Sequence, residues 1–311
     1  PPDAPPPSDV PSTSDAPSAC SSLPTSAASP ARLSFVTSLS EGASIGFSPN
    51  GRLAVLTTSS TSGDLMMYNS EGFSARFSTA YSGGGEVRFL SDMQAVLSPA
   101  SRDTSPFNVR VIGPTSTVYY TPMQSAKPSV LGLDRAGGIY YTNGDRLFRT
   151  AVGTTGPGVF LVNGLPTINA AVINADESAF FLVGGTSSRI TGIYRIALTR
   201  DASGNVFAAS PTMYYPVDAL GNPDGLAIDV CGNLYTADQS TNVVWRIPAG
   251  AVPGTATGRP TVIASRPVGR PFFGVGPGFS PTRLYWAYDV PFSGVMYGIY
   301  HVDVGVPGVR Q

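Results

Sequence analysis

The sequence predicts an all-β fold, a single six-bladed β-propeller of four-stranded blades. Three observations carry that expectation. Turn signals recur at near-regular spacing, each is followed by two short β-rich runs, and a spare strand lies ahead of the first repeat. The turns are Ser48-Pro-Asn-Gly51, Ser91-Asp-Met-Gln94, Asp134-Arg-Ala-Gly137, Asn174-Ala-Asp-Glu177, Asp229-Val-Cys-Gly232 and Phe279-Ser-Pro-Thr282. Their spacing, roughly 40–56 residues, is the range for blades built of four strands.

The run after each turn is rich in Val, Ile, Leu, Tyr and Phe: Leu53-Ala-Val-Leu56, Ala95-Val-Leu97, Ile139-Tyr-Tyr141, Ala179-Phe-Phe-Leu182, Leu234-Tyr235 and Leu284-Tyr-Trp286. A third run follows at Leu65-Met-Met-Tyr68, Val109-Arg-Val-Ile112, Arg146-Leu-Phe-Arg149, Ile193-Tyr-Arg-Ile196, Val243-Val-Trp-Arg246 and Ile299-Tyr-His-Val302. Such runs punctuated by Gly, Asn and Asp are the strand signature. Outer strands are expected at 73–79, 118–121, 159–162, 213–217 and 261–264, and the last repeat lacks one. The segment Arg32-Leu-Ser-Phe-Val-Thr37 fits that vacancy; pairing it there would close the ring and bury its edges. The aromatic residues Trp245, Trp286 and the pairs Tyr119-Tyr120, Tyr140-Tyr141 and Tyr214-Tyr215 are expected to pack between blades.

Composition narrows the function classes. Charged residues are 13% of the 311 and the net charge is −1, so nothing draws the chain to nucleic acid or an anionic membrane. No apolar stretch reaches the roughly 18 residues that a membrane span needs. Residues 1–30 form a Pro/Ser/Ala-rich tail with almost nothing apolar to bury, a composition that favours extended conformations. The tail resembles the tethers behind the lipidated cysteine of bacterial surface lipoproteins, and a secreted disordered tail is the alternative. Neither a Met start nor a signal-type apolar segment is present, so the chain reads as a processed product. It is expected outside the cytoplasm, with the propeller occupying 31–311. Cys20 in the tail and Cys231 in a blade turn are a candidate disulfide in an oxidising compartment, two free thiols being the other possibility. Because the Cys231 turn joins a first and a second strand, a bridge would carry the tail across the far face of the ring.

In a propeller, residues just ahead of each innermost strand gather at one mouth of the central channel. Three such positions carry oxygen donors: Glu41 before 45–47, Asn169 before 171–173, and Asp224 before 226–228. Two carboxylates and an amide carbonyl are a hard-oxygen set suited to Ca²⁺ or Mg²⁺. Capping strand ends or binding water is the alternative role.

These same segments resemble a known family. Asn222-Pro-Asp-Gly-Leu-Ala-Ile-Asp229 with Gly232-Asn-Leu-Tyr-Thr-Ala-Asp238 is similar to the signature of the senescence-marker-protein/gluconolactonase/luciferin-regenerating family. Leu39-Ser-Glu-Gly-Ala43 resembles its opening Glu-Gly-Pro motif, and Ile168-Asn-Ala-Ala-Val-Ile-Asn-Ala-Asp176 its middle Asn-Gly motif. The resemblance spans about 31–305. It implies a six-bladed propeller binding a divalent cation, usually Ca²⁺, and hydrolysis of lactones. It places Glu41, Asn169 and Asp224 on ligand positions and makes Asp224 the general base that activates water. The family's third mouth motif, Arg-x-Asn-Asp-Gly, aligns with Lys127-Pro-Ser-Val-Leu131, so Ser129 and Val130 replace its polar residues. A small neutral lactone or ester is the expected ligand of an enzyme. The runner-up is a non-catalytic secreted or tethered propeller that binds a protein or surface partner.

The remaining candidates point to structure. His301 is the single histidine and has no Gly-x-Ser-x-Gly elbow to serve, so it is expected to be a strand residue. Asp238 and Asp289 end second strands and are expected to cap turns. Gly274-Val-Gly-Pro-Gly278 precedes no helix and is not a phosphate loop.

Overall fold

The computed structural model describes residues 20–310 apart from 21–22, 24–25, 35–43, 59–62, 82–86, 98–106, 114–116, 125–128, 152–157, 187–188, 239, 257, 266–268 and 289–297. A two-residue strand, β1 (Ala31–Arg32), opens the described chain. Blade 1 is β2 (Ser44–Phe47), β3 (Leu53–Thr58), β4 (Gly63–Tyr68) and β5 (Ser74–Tyr81). Blade 2 is β6 (Val87–Ser91), β7 (Gln94–Leu97), β8 (Phe107–Ile112) and β9 (Thr117–Gln124). Blade 3 is β10 (Val130–Leu133), β11 (Gly138–Asn143), β12 (Arg146–Ala151) and β13 (Val159–Val162). Blade 4 is β14 (Thr167–Ile173), β15 (Ala179–Gly185), β16 (Ile190–Arg200), β17 (Val206–Ala208) and β18 (Thr212–Pro216). Blade 5 is β19 (Pro223–Ile228), β20 (Leu234–Asp238), β21 (Val243–Ile247) and β22 (Thr261–Ser265). Blade 6 is β23 (Phe272–Phe273), β24 (Arg283–Tyr288) and β25 (Gly298–Asp303).

Every blade is an antiparallel meander, and β1 completes the sixth in the order β1-β25-β24-β23. Ala31 pairs with His301 and Arg32 with Tyr300, and the Leu33 amide donates to Ile299 O at 2.8 Å. The rest of the expected closing segment, 35–37, lies outside the described residues. Blade 4 departs from the four-strand pattern. Its third strand runs 11 residues and pairs with β18 along one half and with β17 along the other.

Alternation along each strand turns its side chains to the two sheet faces, so one blade packs against both neighbours. Tyr140 thus lies in the apolar seam between blades 3 and 4, and its neighbour Tyr141 in the seam between blades 2 and 3. Trp286 is fully buried between blades 5 and 6. Phe47 and Phe279 each meet Tyr285 edge-on, and each other at a tilt, between blades 6 and 1, where the ring closes. Gly276 seats against the Gly51 turn at that junction, where a Cβ would come within 2.5 Å of the Gly51 Cα.

The turns between first and second strands repeat one device. Asp229 accepts hydrogen bonds from the amides of Cys231 and Asn233, both at 2.9 Å, and from the Tyr235 hydroxyl at 2.9 Å. Asp134, in the equivalent turn of blade 3, accepts from the Gly138 amide at 2.6 Å and the Tyr140 hydroxyl at 3.2 Å. Asp134 also receives Arg149 at 2.8 Å and Arg200 at 3.0 Å, and Arg200 continues to Glu177 at 2.8 Å. Blades 3 and 4 are thereby stitched on the face away from the channel mouth.

The segments that begin at Cys20 and that run through 307–309 meet on that face. Cys20 and Cys231 form a disulfide with a Cα–Cα distance of 5.7 Å. The Ala28 amide donates to Ile263 O at 2.9 Å as the chain runs from blade 5 towards β1. The C-terminal segment crosses to the same turn, with the Val230 amide donating to Pro307 O and the Val309 amide to Ile228 O. No helix among the described residues is long and apolar enough to cross a membrane.

Candidate functional site

Two of the three expected mouth residues come together, and each stands at an irregularity of an innermost strand. In β14 the register passes from Ile168↔Gly184 to Ala170↔Val183, leaving Asn169 as the extra residue. In β19 it passes from Asp224↔Ala237 to Ala227↔Tyr235. Bulges re-aim side chains at sheet ends, and here they bring positions 55 residues apart within hydrogen-bonding distance. The Asn169 Nδ2 donates to Asp224 Oδ1 at 2.8 Å. Glu41, the third expected position, lies outside the described residues.

A residue missed by the sequence reading completes the cluster. Arg270, just ahead of β23, donates through Nε to Asp224 Oδ1 at 3.2 Å and through a terminal nitrogen to Asn169 Oδ1 at 3.1 Å. Arg270 stands two residues ahead of the short innermost strand of blade 6, whereas Asp224 lies within that of blade 5. A pattern of oxygen donors in the sequence passes over a cation. The Asp224 side chain is 15% exposed and that of Arg270 33%, so the pair sits partly shielded at the mouth.

Gly225 makes this approach possible. Its φ is +79°, and a Cβ there would lie 2.6 Å from the Arg270 Cα and 2.7 Å from the Pro271 ring. The Thr236 hydroxyl donates to Gly225 O at 2.8 Å and fixes the bulge. Pro271 in turn restricts Arg270 to extended backbone. Gly225→Ala is expected to cost about 2 kcal/mol or more, from the left-handed backbone together with the contact on a neighbouring main chain. Chemical denaturation measures this, and a loss under about 0.5 kcal/mol would contradict the role given to Gly225.

A second arginine bonds to the same innermost strand as Arg270 does. Arg88, on the innermost strand of blade 2, is 3% exposed and donates to Ala171 O at 2.9 Å. Ala171 lies two residues down β14 from Asn169. Guanidinium groups from blades 2 and 6 thus both bond to β14 of blade 4.

The donors do not fit a divalent cation as they stand. Asp224 Oδ1 already accepts from an amide and a guanidinium, and Asn169 Oδ1 accepts from the same guanidinium. A metal ion needs these lone pairs, and it would have to share the site with a fixed positive charge. Among the described residues no three His, Cys, Asp or Glu side chains converge into a metal-binding group. At the third mouth motif, Val130 is buried in the seam between blades 2 and 3. Ser129 exchanges hydrogen bonds with Thr142, through its amide to the hydroxyl at 3.1 Å and its carbonyl from the amide at 2.9 Å. Lys127 lies outside the described residues.

Asp238 caps the loop after β20. Its carboxylate accepts from the amides of Asn222 at 3.0 Å and Ser240 at 2.9 Å, and from the hydroxyls of Ser240 and Thr241. Burial alone would raise its pKa, but these donors outweigh that and hold it below the ordinary aspartate value. Asp289 lies outside the described residues. His301 is on β25, opposite the closing strand, with its ring 5.3 Å from that of Tyr285. Burial, then the Arg283 charge, lowers its pKa, which leaves a neutral strand residue away from the mouth.

No protein-family model matches the sequence, and no curated protein sequence matches it. Solved structures do resemble the fold. A luciferin-regenerating enzyme superposes with a TM-score of 0.64 at 15% identity, covering 90% of this chain and 98% of that one. A calcium-binding protein, regucalcin, from Agrobacterium tumefaciens gives 0.62 at 13% identity, over 91% and 96%. A gluconolactonase from Xanthomonas campestris gives 0.59 at 14% identity, over 89% and 88%. The chain therefore has the six-bladed fold shared by these propellers.

Proposed function

We propose that this chain is an extracytoplasmic, non-catalytic binding propeller, built on a gluconolactonase-like fold and working without a metal. The observation that carries this reading is the Arg270 guanidinium held between Asp224 and Asn169. In a metal-assisted hydrolase those two oxygen ligands would be open to the cation, and Asp224 would be open to the attacking water. Here the carboxylate is engaged by a permanent cation, a poor state for a general base.

The partner proposed is a protein or surface component rather than a small lactone. The outer strands of blades 3 and 4 support this. Val159, Phe160 and Phe207 are each about half exposed or more, and β13, which carries the first two, packs beside β17, which carries the third. Neighbouring exposed apolar groups on an outer rim suit a contact surface. The Cys20–Cys231 bridge supports a location in an oxidising compartment.

Hydrolysis of a lactone or ester with Ca²⁺ is the second reading, favoured by the convergence of Asn169 and Asp224 at one mouth. A panel of five- and six-membered lactones and aryl esters separates the two, assayed with Ca²⁺, with Mg²⁺ and with chelator. Turnover is expected to stay at the buffer rate in all three conditions. Hydrolysis that Asp224→Ala abolishes would overturn the binding reading.

A further inference from the structure

We propose that Arg270 is a built-in cation. It takes the place of a divalent ion between Asp224 and Asn169, and its removal would uncover a Ca²⁺ site. The proposal deepens the metal-independent reading of the mouth given above.

The geometry behind it is a three-way link. One carboxylate oxygen accepts from Asn169 at 2.8 Å and from Arg270 at 3.2 Å, and the amide oxygen of Asn169 accepts from Arg270 at 3.1 Å. Both oxygens thus point at one positive centre, the arrangement that a hard cation would require of them. The guanidinium supplies that charge from a planar fork and keeps it at every physiological pH. It neutralises Asp224 and repels any second cation brought to the same oxygens.

The placement is built into the backbone. Gly225, with φ +79°, leaves room for the main chain of Arg270 against blade 5, and Pro271 fixes the approach. A residue presented in this way cannot be lost to a chelator or to a fall in calcium concentration. The mouth would then have the same charge balance in any medium, which a bound ion does not guarantee.

With Arg270 shortened, Asp224 and Asn169 offer a carboxylate and an amide oxygen at a partly shielded position, and water would complete the coordination. Such a site belongs to the weak range, around 10⁻⁴–10⁻³ M, known for extracellular modules. The test is thermal unfolding of the full chain at about 10 mM Ca²⁺ and in chelator, for wild type, Arg270→Ala, Arg270→Gln, Arg270→Lys and Arg270→Ala/Asp224→Asn. A ligand that binds only the folded state raises the midpoint.

Wild type and Arg270→Lys are expected to shift by less than about 1 °C. Arg270→Ala is expected to rise by about 2–6 °C in Ca²⁺, the size of a ligand effect of one to two orders of magnitude in a domain this large. The double variant is expected not to respond. Arg270→Gln keeps much of the side-chain bulk and gives the same reading if the alanine variant fails to fold. A wild-type shift as large as that of the variant would overturn the proposal. So would a folded Arg270→Ala or Arg270→Gln protein that ignores Ca²⁺. The lactone assay is independent of these outcomes: wild-type turnover without a calcium shift would end the non-catalytic reading and leave the built-in cation standing.

Discussion

Replacing Cys231 with serine is expected to lower the unfolding free energy by about 3 kcal/mol under non-reducing conditions. The bridge spans 211 residues of sequence, and the chain-entropy relation gives about 5 kcal/mol for a loop that long. Measured bridges commonly fall below that relation, so about 3 kcal/mol is the working figure. The bond also has a specific task here. Among the described residues the closing strand pairs with the last blade at Ala31–His301 and Arg32–Tyr300, flanked by single hydrogen bonds at Ala28 and Leu33. The disulfide keeps the start of this segment close to the ring. Urea titrations of wild type, Cys231→Ser and reduced wild type check the expectation. The last two should coincide, and a loss below about 1 kcal/mol would show that the ring closes without the bridge.

Asp134→Ala is expected to cost about 3 kcal/mol near neutral pH, at the low end of what breaking a buried ion pair costs. The carboxylate is fully buried, while Arg149 and Arg200 are 21% and 30% exposed. Both arginines could therefore recover part of their hydration once orphaned, which sets the figure low. Burial pushes the Asp134 pKa up, but hydrogen bonds from Arg149, Gly138 and Arg200 pull harder and leave it below the ordinary value. A depressed folded pKa stabilises above the unfolded value, about 3.9, and that stabilisation is lost as pH falls through the folded value. The gap between wild type and Asp134→Ala should thus be full at pH 7 and shrink below about pH 4. Asp229 provides the contrast. It occupies the same place in blade 5, and burial outweighs its hydrogen bonds, so its pKa is raised. For this group the sign reverses: its contribution is fully present below the unfolded value and lost as pH rises through the folded one. A gap for Asp134→Ala that is constant from pH 7 to pH 3 would refute the account.

The ring was legible in the sequence because its signals are local. A turn such as Asp134-Arg-Ala-Gly137 or Asp229-Val-Cys-Gly232 needs its aspartate and glycine wherever the chain folds back. The alternation in Ile139-Tyr-Tyr141 needs only adjacent residues. What escaped was set by neighbours distant in sequence. The split of β16 between β17 and β18 depends on two outer strands competing for one long partner. Arg270 escaped for a chemical reason. Asn169 and Asp224 stand out in the sequence as oxygen ligands, whereas the chain places a cation 46 residues beyond Asp224. Arg88 hid in the same way: an arginine in a run such as Val87-Arg-Phe-Leu-Ser91 reads as an outward residue, yet it is buried and bonds to a carbonyl 83 residues away.

The convergence of Cys20 and the 307–309 segment on the Cys231 turn bears on how the molecule can be held. Asp224 and Cys231 stand at opposite ends of β19, a strand length of roughly 15–20 Å apart. A molecule held at the Cys20–Cys231 bridge would therefore present the Arg270 mouth to the solution. For display or capture, the face of the bridge is the handle.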